Sequence, residues 1–317
     1  MVFDALQAVL MIIVIMAFGF FCGWRKWAGP QVTSFISKLI LNITLPCTGM
    51  MSFVNYLDAE TIKDSWLYIV AAFVAILIMY FLAKIVARAA KIKKTQRGVF
   101  ITLFAFSNSI YVGLPVATAI FGEPGIVFAM FYFVANTTLM NSIGMMEIAA
   151  DGREIADEAT HTHHKMNFFK ILFQPPLIGV IIGVVLVMLN VQLPSFLSMA
   201  LTYTGNITSP LALIFIGIVL QRTGLSCIRR FDRGISWSLV GRFVLSPLIM
   251  FFVAQLFGLG QFPTSVLVVQ MGLPAMVATS IFAEATGADT EFAARGVAIT
   301  TLVSFVTIPI YIALLGL

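Results

Sequence analysis

The sequence predicts an all-α polytopic membrane protein of ten transmembrane helices, arranged as two inverted five-helix repeats in which the fourth and ninth helices are broken and cross. Three observations predict this fold. The chain is 60% hydrophobic and only 10% charged, and its apolar runs are continuous over about twenty residues, the length a helix needs to cross a bilayer. Two of these runs carry the same interruption, Gly113-Leu114-Pro115 and Gly272-Leu273-Pro274. Lys and Arg gather in alternate connectors, as the positive-inside bias requires. A soluble domain is excluded, and so is a β-barrel, whose strands would alternate with a period of two in segments of about ten residues.

The first run, about Ala5 to Cys22, has Asp4 and no Lys or Arg before it. It lacks the basic start of a cleaved signal peptide and is expected to stay as a span. The second, about Val32 to Phe53, contains Asn42-Ile43-Thr44-Leu45-Pro46. The third covers about Trp66 to Val86.

The fourth, about Val99 to Phe121, holds Ser107-Asn108-Ser109 and then Gly113-Leu114-Pro115. Glycine followed two positions later by proline loosens the helical ladder and removes a donor, so a broken helix is expected there. Freed backbone groups at membrane depth survive only against protein or a watery cavity, and the Ser-Asn-Ser side chains suit such a cavity. The fifth, about Gly125 to Met146, places Thr137, Thr138 and Asn141 on one helical face, with Asn136 well around the helix from Asn141.

A polar segment, 147–167, divides a first repeat (1–146) from a second (168–317). Its His161, His163 and His164 read as solvated loop residues, and no metal site is expected. Cys22, Cys47 and Cys227 are scattered and have no disulfide or metal spacing.

The sixth run is about Phe168 to Leu189. The seventh, about Phe196 to Leu220, repeats the second run's motif as Asn206-Ile207-Thr208-Ser209-Pro210. The eighth, about Ile235 to Phe257, has Arg242 inside it. The ninth, about Phe262 to Glu284, carries Gln270, Gly272, Pro274 and Thr279, and its Ala278-Thr279-Ser280-Ile281-Phe282 echoes Ala117-Thr118-Ala119-Ile120-Phe121. The tenth, about Ala294 to Leu315, has a stripe of Thr300, Thr301, Ser304 and Thr307. The recurring motifs keep the same order, as in the repeats of membrane transporters.

Connectors after odd-numbered runs carry the positive charge: Arg25 and Lys26, then Lys91, Lys93, Lys94 and Arg97, then Arg153 and Lys165, then Arg222, Arg229, Arg230 and Arg233, then Arg295. Those after even-numbered runs have Lys63 alone. Both termini are therefore expected outside, and five spans per repeat force the second to run opposite to the first. The net charge of +5 belongs to these connectors and implies no nucleic-acid function. Lys38 and Arg242 lie inside spans. They are read either as snorkelling to the interface or as attracting an anion from the cytoplasm.

In inverted repeats two broken helices meet near the midplane, and their exposed N-termini favour an anionic guest. The candidate lining is Ser107, Asn108, Ser109, Gly113, Gln270, Gly272 and Thr279, with Asn136 and Asn141 from the fifth span. Amides donate to a carboxylate at less desolvation cost than a buried Lys or Arg. An intramembrane enzyme would need a catalytic pair at depth, and all three histidines lie in the connector. No enzymatic activity is expected.

Asn42 to Pro46, Ser107-Asn108 through Pro115, Gly272 to Pro274, and Gly287 to Tyr311 together resemble a bacterial member of the auxin efflux carrier family, which includes plant auxin exporters and prokaryotic malate and malonate permeases. The resemblance covers essentially the whole chain. It implies a fold like that of sodium/bile acid symporters, with spans 1, 2, 6 and 7 as a scaffold and homodimer interface. The remaining spans would form a transport domain that moves like an elevator, with its broken helices crossing at Pro115 and Pro274. It further implies a carboxylate held by Asn108, Gly113, Pro115 and Pro274, and a place in the bacterial inner membrane. The expected function is secondary transport of a small organic anion such as malate or malonate. Export of an auxin-like aromatic acid and a passive anion channel stay open, as does coupling to Na+ or H+; no cofactor is expected.

Overall fold

The computed structural model describes residues 2–56, 59–157, 175–223 and 232–315. His161, His163, His164 and Cys227 lie outside them. The described residues form helices: α1 (Val2–Trp24), α2 (Pro30–Leu39), α3 (Leu45–Tyr56), α4 (Ala59–Ala89), α5 (Arg97–Ala105), α6 (Leu114–Leu139) and α7 (Met145–Asp157), followed by α8 (Pro175–Met188), α9 (Ser195–Asn206), α10 (Thr208–Thr223), α11 (Arg233–Val240), α12 (Ser246–Leu256), α13 (Gln261–Met271), α14 (Ala278–Thr286) and α15 (Thr290–Leu315). Among the described residues three π turns, Ile40–Thr44, Met140–Gly144 and Gly241–Leu245, join neighbouring helices into longer rods, and a fourth, Ser109–Gly113, leads into α6.

Six stretches among the described residues are long and apolar enough to cross a membrane: Gln31–Asn55, Trp66–Ala89, Ser109–Ile155, Ser195–Arg222, Arg233–Leu256 and Thr290–Leu315. Ile13–Trp24 and Ile178–Met188 are shorter apolar helices. The 47 residues of Ser109–Ile155 would reach roughly 70 Å as one straight helix at ~1.5 Å per residue, far more than a bilayer. Gly122, at φ 66° and ψ −167° just before Pro124, breaks that rod. Large apolar side chains such as Phe81, Phe252 and Leu256 are exposed, which water would penalise and lipid accepts.

Helices α1 and α10 pack closely, because a Cβ on Gly19 would come within 2.1 Å of the Ile214 carbonyl and one on Gly217 within 2.0 Å of the Met16 carbonyl. Small residues at such crossings let backbones approach where no hydrophobic effect drives association. Helix α3 packs on α8 and α9. There Thr48 Oγ1 reaches the Gly205 carbonyl at 2.9 Å and the Thr208 hydroxyl at 2.8 Å. The second repeat motif interrupts the helix here: α9 ends at Asn206 and α10 begins at Thr208, with Pro210 in its first turn. Asn42 instead lies in a π turn and donates to the Lys38 carbonyl at 2.7 Å, and Pro46 sits in the first turn of α3.

Helices α4 to α7 and α11 to α15 and their connections contribute fully buried Phe100, Phe104, Phe106, Tyr132, Phe133 and Phe292 to the core. Polar pairs tie the ends of these helices together. Asp151 on α7 accepts from the backbone N–H of Gly98 at 2.8 Å and of Val99 at 2.9 Å, capping α5. Lys84 meets Glu147 at 2.6 Å, and Arg295 meets Asp232 at 2.6 Å. Residues 147–157 of the expected polar segment are thus the helical continuation of the fifth run.

Candidate functional site

Both expected interruptions are present, and they meet. Helix α5 ends at Ala105, where Phe106 turns extended at φ −109° and ψ 127°. On the other side α13 ends at Met271, and helix resumes at Ala278. Ser107 and Ala275 form an antiparallel β-bridge across the gap. The Asn108 N–H donates to the Pro274 carbonyl at 2.8 Å, and the Met276 N–H to the Phe106 carbonyl at 3.2 Å. Two strand-like segments of a few residues thereby satisfy part of each other's backbone in the protein interior, as burial demands.

Each break is also held from behind by one polar side chain of the next long helix. Asn136 on α6 treats Ser107 as a strand partner would: its Nδ2 donates to the Ser107 carbonyl at 2.8 Å, and its Oδ1 accepts from the Ser107 N–H at 3.3 Å. The same Nδ2 reaches Ser109 Oγ at 3.2 Å. On α15, Thr300 Oγ1 accepts from the Ala275 N–H at 3.1 Å. Ser107 Oγ donates to the Tyr132 hydroxyl at 2.8 Å. Tyr132 had no place in the sequence reading; it lies four residues before Asn136, and so on the same helical face.

The structure places the expected residues unequally. Ser107, Asn108, Ser109, Asn136, Gln270, Pro274 and Thr279 all lie at or against the crossing and are buried. Gly113 lies at the end of the π turn, where its carbonyl accepts from Gln270 Nε2 at 2.8 Å. Gly272 caps α13 and lies against the ring of Tyr311, 2.7 Å from where its Cβ would be. Asn141 is buried within the Met140–Gly144 π turn.

Pro115 is a correction. The first break falls at Phe106–Asn108, and Pro115 sits one step inside α6, after the π turn Ser109–Gly113. A π turn widens the ladder, which accommodates the N–H that proline lacks without ending the helix. The second Gly-Leu-Pro does lie in its break, so the helices cross at Ser107 and Ala275, with Pro274 at the crossing and Pro115 away from it.

Arg242 is another correction. It does not snorkel to the interface or stand at an entrance: it is fully buried, with Nη2 on Ser246 Oγ at 2.9 Å and on the Met271 carbonyl at 2.5 Å. The partial negative charge at the C-terminal end of α13 draws it there. Lys38 is exposed.

Several polar atoms at the crossing have no partner. Asn108 Oδ1 accepts from the Tyr111 N–H at 3.2 Å as a helix cap, which leaves Nδ2 buried and unpaired. Thr279 Oγ1 and Gln270 Oε1 are likewise buried and unpaired. The broken helix also touches α2 and α10, since the Tyr111 hydroxyl bonds Ser37 Oγ at 2.9 Å and its ring stacks on Phe215 at 4.8 Å. Beside the crossing, a cavity of about 90 Å³ opens among Ile216 and Leu220 of α10, Val277 and Ser280, and Val297 and Thr301 of α15.

Comparison with known proteins agrees with a membrane carrier. An uncharacterized transporter of Methanocaldococcus jannaschii is 22% identical over 313 residues, covering 96% of this chain and 97% of that protein. An uncharacterized transporter of Methanothermobacter thermautotrophicus is 23% identical over 307 residues, covering 96% of each. The sequence profile of the family described as "Membrane transport protein" matches residues 4–312, nearly the whole chain, and on that match the chain belongs to this family, that of the auxin efflux carriers.

Proposed function

We propose that this membrane transporter carries a small organic anion, with the dicarboxylates malate and malonate as first candidates, by elevator-type alternating access. The observation that carries the reading is the meeting of two interrupted helices at Ser107 and Ala275 with the buried Asn108 Nδ2 and Thr279 Oγ1 left unpaired beside it. An amide N–H and a hydroxyl, close to the N-terminal ends of helical segments, suit a carboxylate. In this reading α1 to α3 and α8 to α10 form a scaffold, and a homodimer through it. The other helices move as the transport domain, and the chain crosses the inner membrane ten times as two inverted repeats with both termini outside.

The test is uptake of labelled malate by proteoliposomes, with and without a sodium gradient. Asn108→Asp keeps the acceptor that caps the helix, removes the amide donor and adds a repelling charge. Transport is expected to be lost while the variant still folds; unchanged transport would remove Asn108 from the site. A second reading, export of an amphipathic weak acid, is favoured by the mostly apolar wall of the cavity beside Val277 and Ser280. Competition by indole acetate stronger than that by malonate would select it.

A further inference from the structure

We propose that Arg242 and Ser238 form a buried binding site for a small anion, behind the crossing and distinct from the Asn108 and Thr279 groups. Arg242 is the bulkiest of the fully buried side chains. Only Nη2 is bonded, to Ser246 Oγ and the Met271 carbonyl, and both Nε and Nη1 are buried without a partner. Ser238, also fully buried, has an unpartnered hydroxyl. It lies four residues earlier in the same rod, a spacing that puts the two side chains on one face, about 5–6 Å apart at their Cβ atoms.

Charge makes the case. Among the described residues Arg242 has no ion pair, and the titratable groups that act on it are the phenols Tyr132 and Tyr311, a side-chain type neutral at pH 7. The carbonyl end of α13 offers a partial charge of about half a unit at most, against a full positive charge taken out of water. The unfilled positions on the guanidinium are all donors, and the serine hydroxyl can add another. What they lack is an acceptor that is also negative. Full burial restricts it to a halide-sized ion or a single carboxylate group. The anion has two possible sources, a free inorganic ion such as chloride or the carboxylate of a transported acid reaching behind the crossing.

The experiment is thermal unfolding of the purified full-length protein in sodium chloride, in sodium gluconate of equal ionic strength, and in gluconate with added malate, for the wild type, Arg242→Gln and Ser238→Ala. Ligand binding to the folded state raises the melting temperature with concentration. A rise of a few degrees with chloride that saturates, disappears in Arg242→Gln and weakens in Ser238→Ala supports the site with an inorganic occupant. The same pattern with malate alone supports it with the acid's carboxylate as occupant; only this arm rests on the transport reading. Equal melting in all three media, or protection that persists in Arg242→Gln, overturns the proposal. If Arg242→Gln does not fold, Ser238→Ala and the anomalous signal of bromide in crystals decide: bromide beside the guanidinium supports the site, and bromide absent there overturns it. Malate transport tested separately through Asn108→Asp keeps failure of the carrier reading distinct from failure of this one.

Discussion

The Asn108 N–H lies 2.8 Å from the carbonyl of Pro274, a backbone bond between two helices that would otherwise each expose broken ends to the membrane interior. With the returning bond from Met276 to Phe106 at 3.2 Å, it makes the two interruptions one object. A change that loosens one break is therefore felt by both.

Asn136 is expected to be the most sensitive support of that object. Asn136→Ala would strip the buried Ser107 N–H of its partner and leave the Ser107 carbonyl with only the Ser109 N–H at 3.0 Å. The stranded N–H costs about 1–3 kcal/mol. A melting temperature lower by many degrees, together with loss of transport, is the expected outcome. Asn136→Asp keeps the acceptor but not the donor and is expected to lose the bonds to the Ser107 carbonyl and Ser109, giving an intermediate melting temperature at most.

The sequence located both interruptions and most residues around them, because Gly-Leu-Pro and Ser-Asn-Ser are local signals written in residue types. It misjudged what depends on the helical ladder itself. A regular period makes Asn141 the partner of the threonine face and allows Asn136 only on a broad polar face, though both are candidates for the lining. The extra residue of the Met140–Gly144 π turn rephases the helix beyond Leu139, and Asn136 points at Ser107. Pro115 looked like the break, but a π turn upstream absorbed its missing donor. Arg242 looked like a surface charge two turns from an end. Only the fold brings the carbonyl end of α13 beside it.

Gly113 and Gln270 are expected to behave as one unit. A Cβ at position 113 would fall 2.4 Å from Gln270 Oε1 and 2.7 Å from Leu273, inside any normal contact distance. Gly113→Ala should push the two broken helices apart. Gln270→Ala removes one obstacle but leaves the Gly113 carbonyl without its donor. A double-mutant cycle read by thermal unfolding is expected to show a coupling of about 0.5–3 kcal/mol, whereas simple additivity would mean that the contact is not made.

Asp151 is expected to matter for stability alone. It lies on α7, fifteen residues beyond Asn136 of α6 in the sequence, and caps the first turn of α5 through Gly98 and Val99. Asp151→Ala removes a helix cap, at about 0.5–2 kcal/mol, and leaves two N–H groups buried. Lower thermal stability with malate affinity unchanged in the folded fraction is the expected result. A changed affinity at equal stability would show that α5 communicates with the crossing.

Tyr111 carries the last and most demanding prediction, because it joins the proposed transport domain to the proposed scaffold through Ser37 and Phe215. If the one slides past the other during transport, that contact must break in every cycle. In a background freed of Cys22, Cys47 and Cys227, the pair Tyr111→Cys and Phe215→Cys, whose parent rings lie 4.8 Å apart, should be joined by a short cleavable reagent. Transport is expected to stop on joining and to return on cleavage. The pair Gly19→Cys and Gly217→Cys is no fair control, since any side chain there strikes the Met16 and Ile214 carbonyls. A cysteine pair at the Thr48 and Thr208 hydroxyls, 2.8 Å apart in the parent, joins α3 to α10 within the proposed scaffold and is expected to leave transport running. Transport that survives the 111–215 link would exclude relative motion at this contact, and with it the elevator, while leaving the anion site at the crossing intact as a separate question.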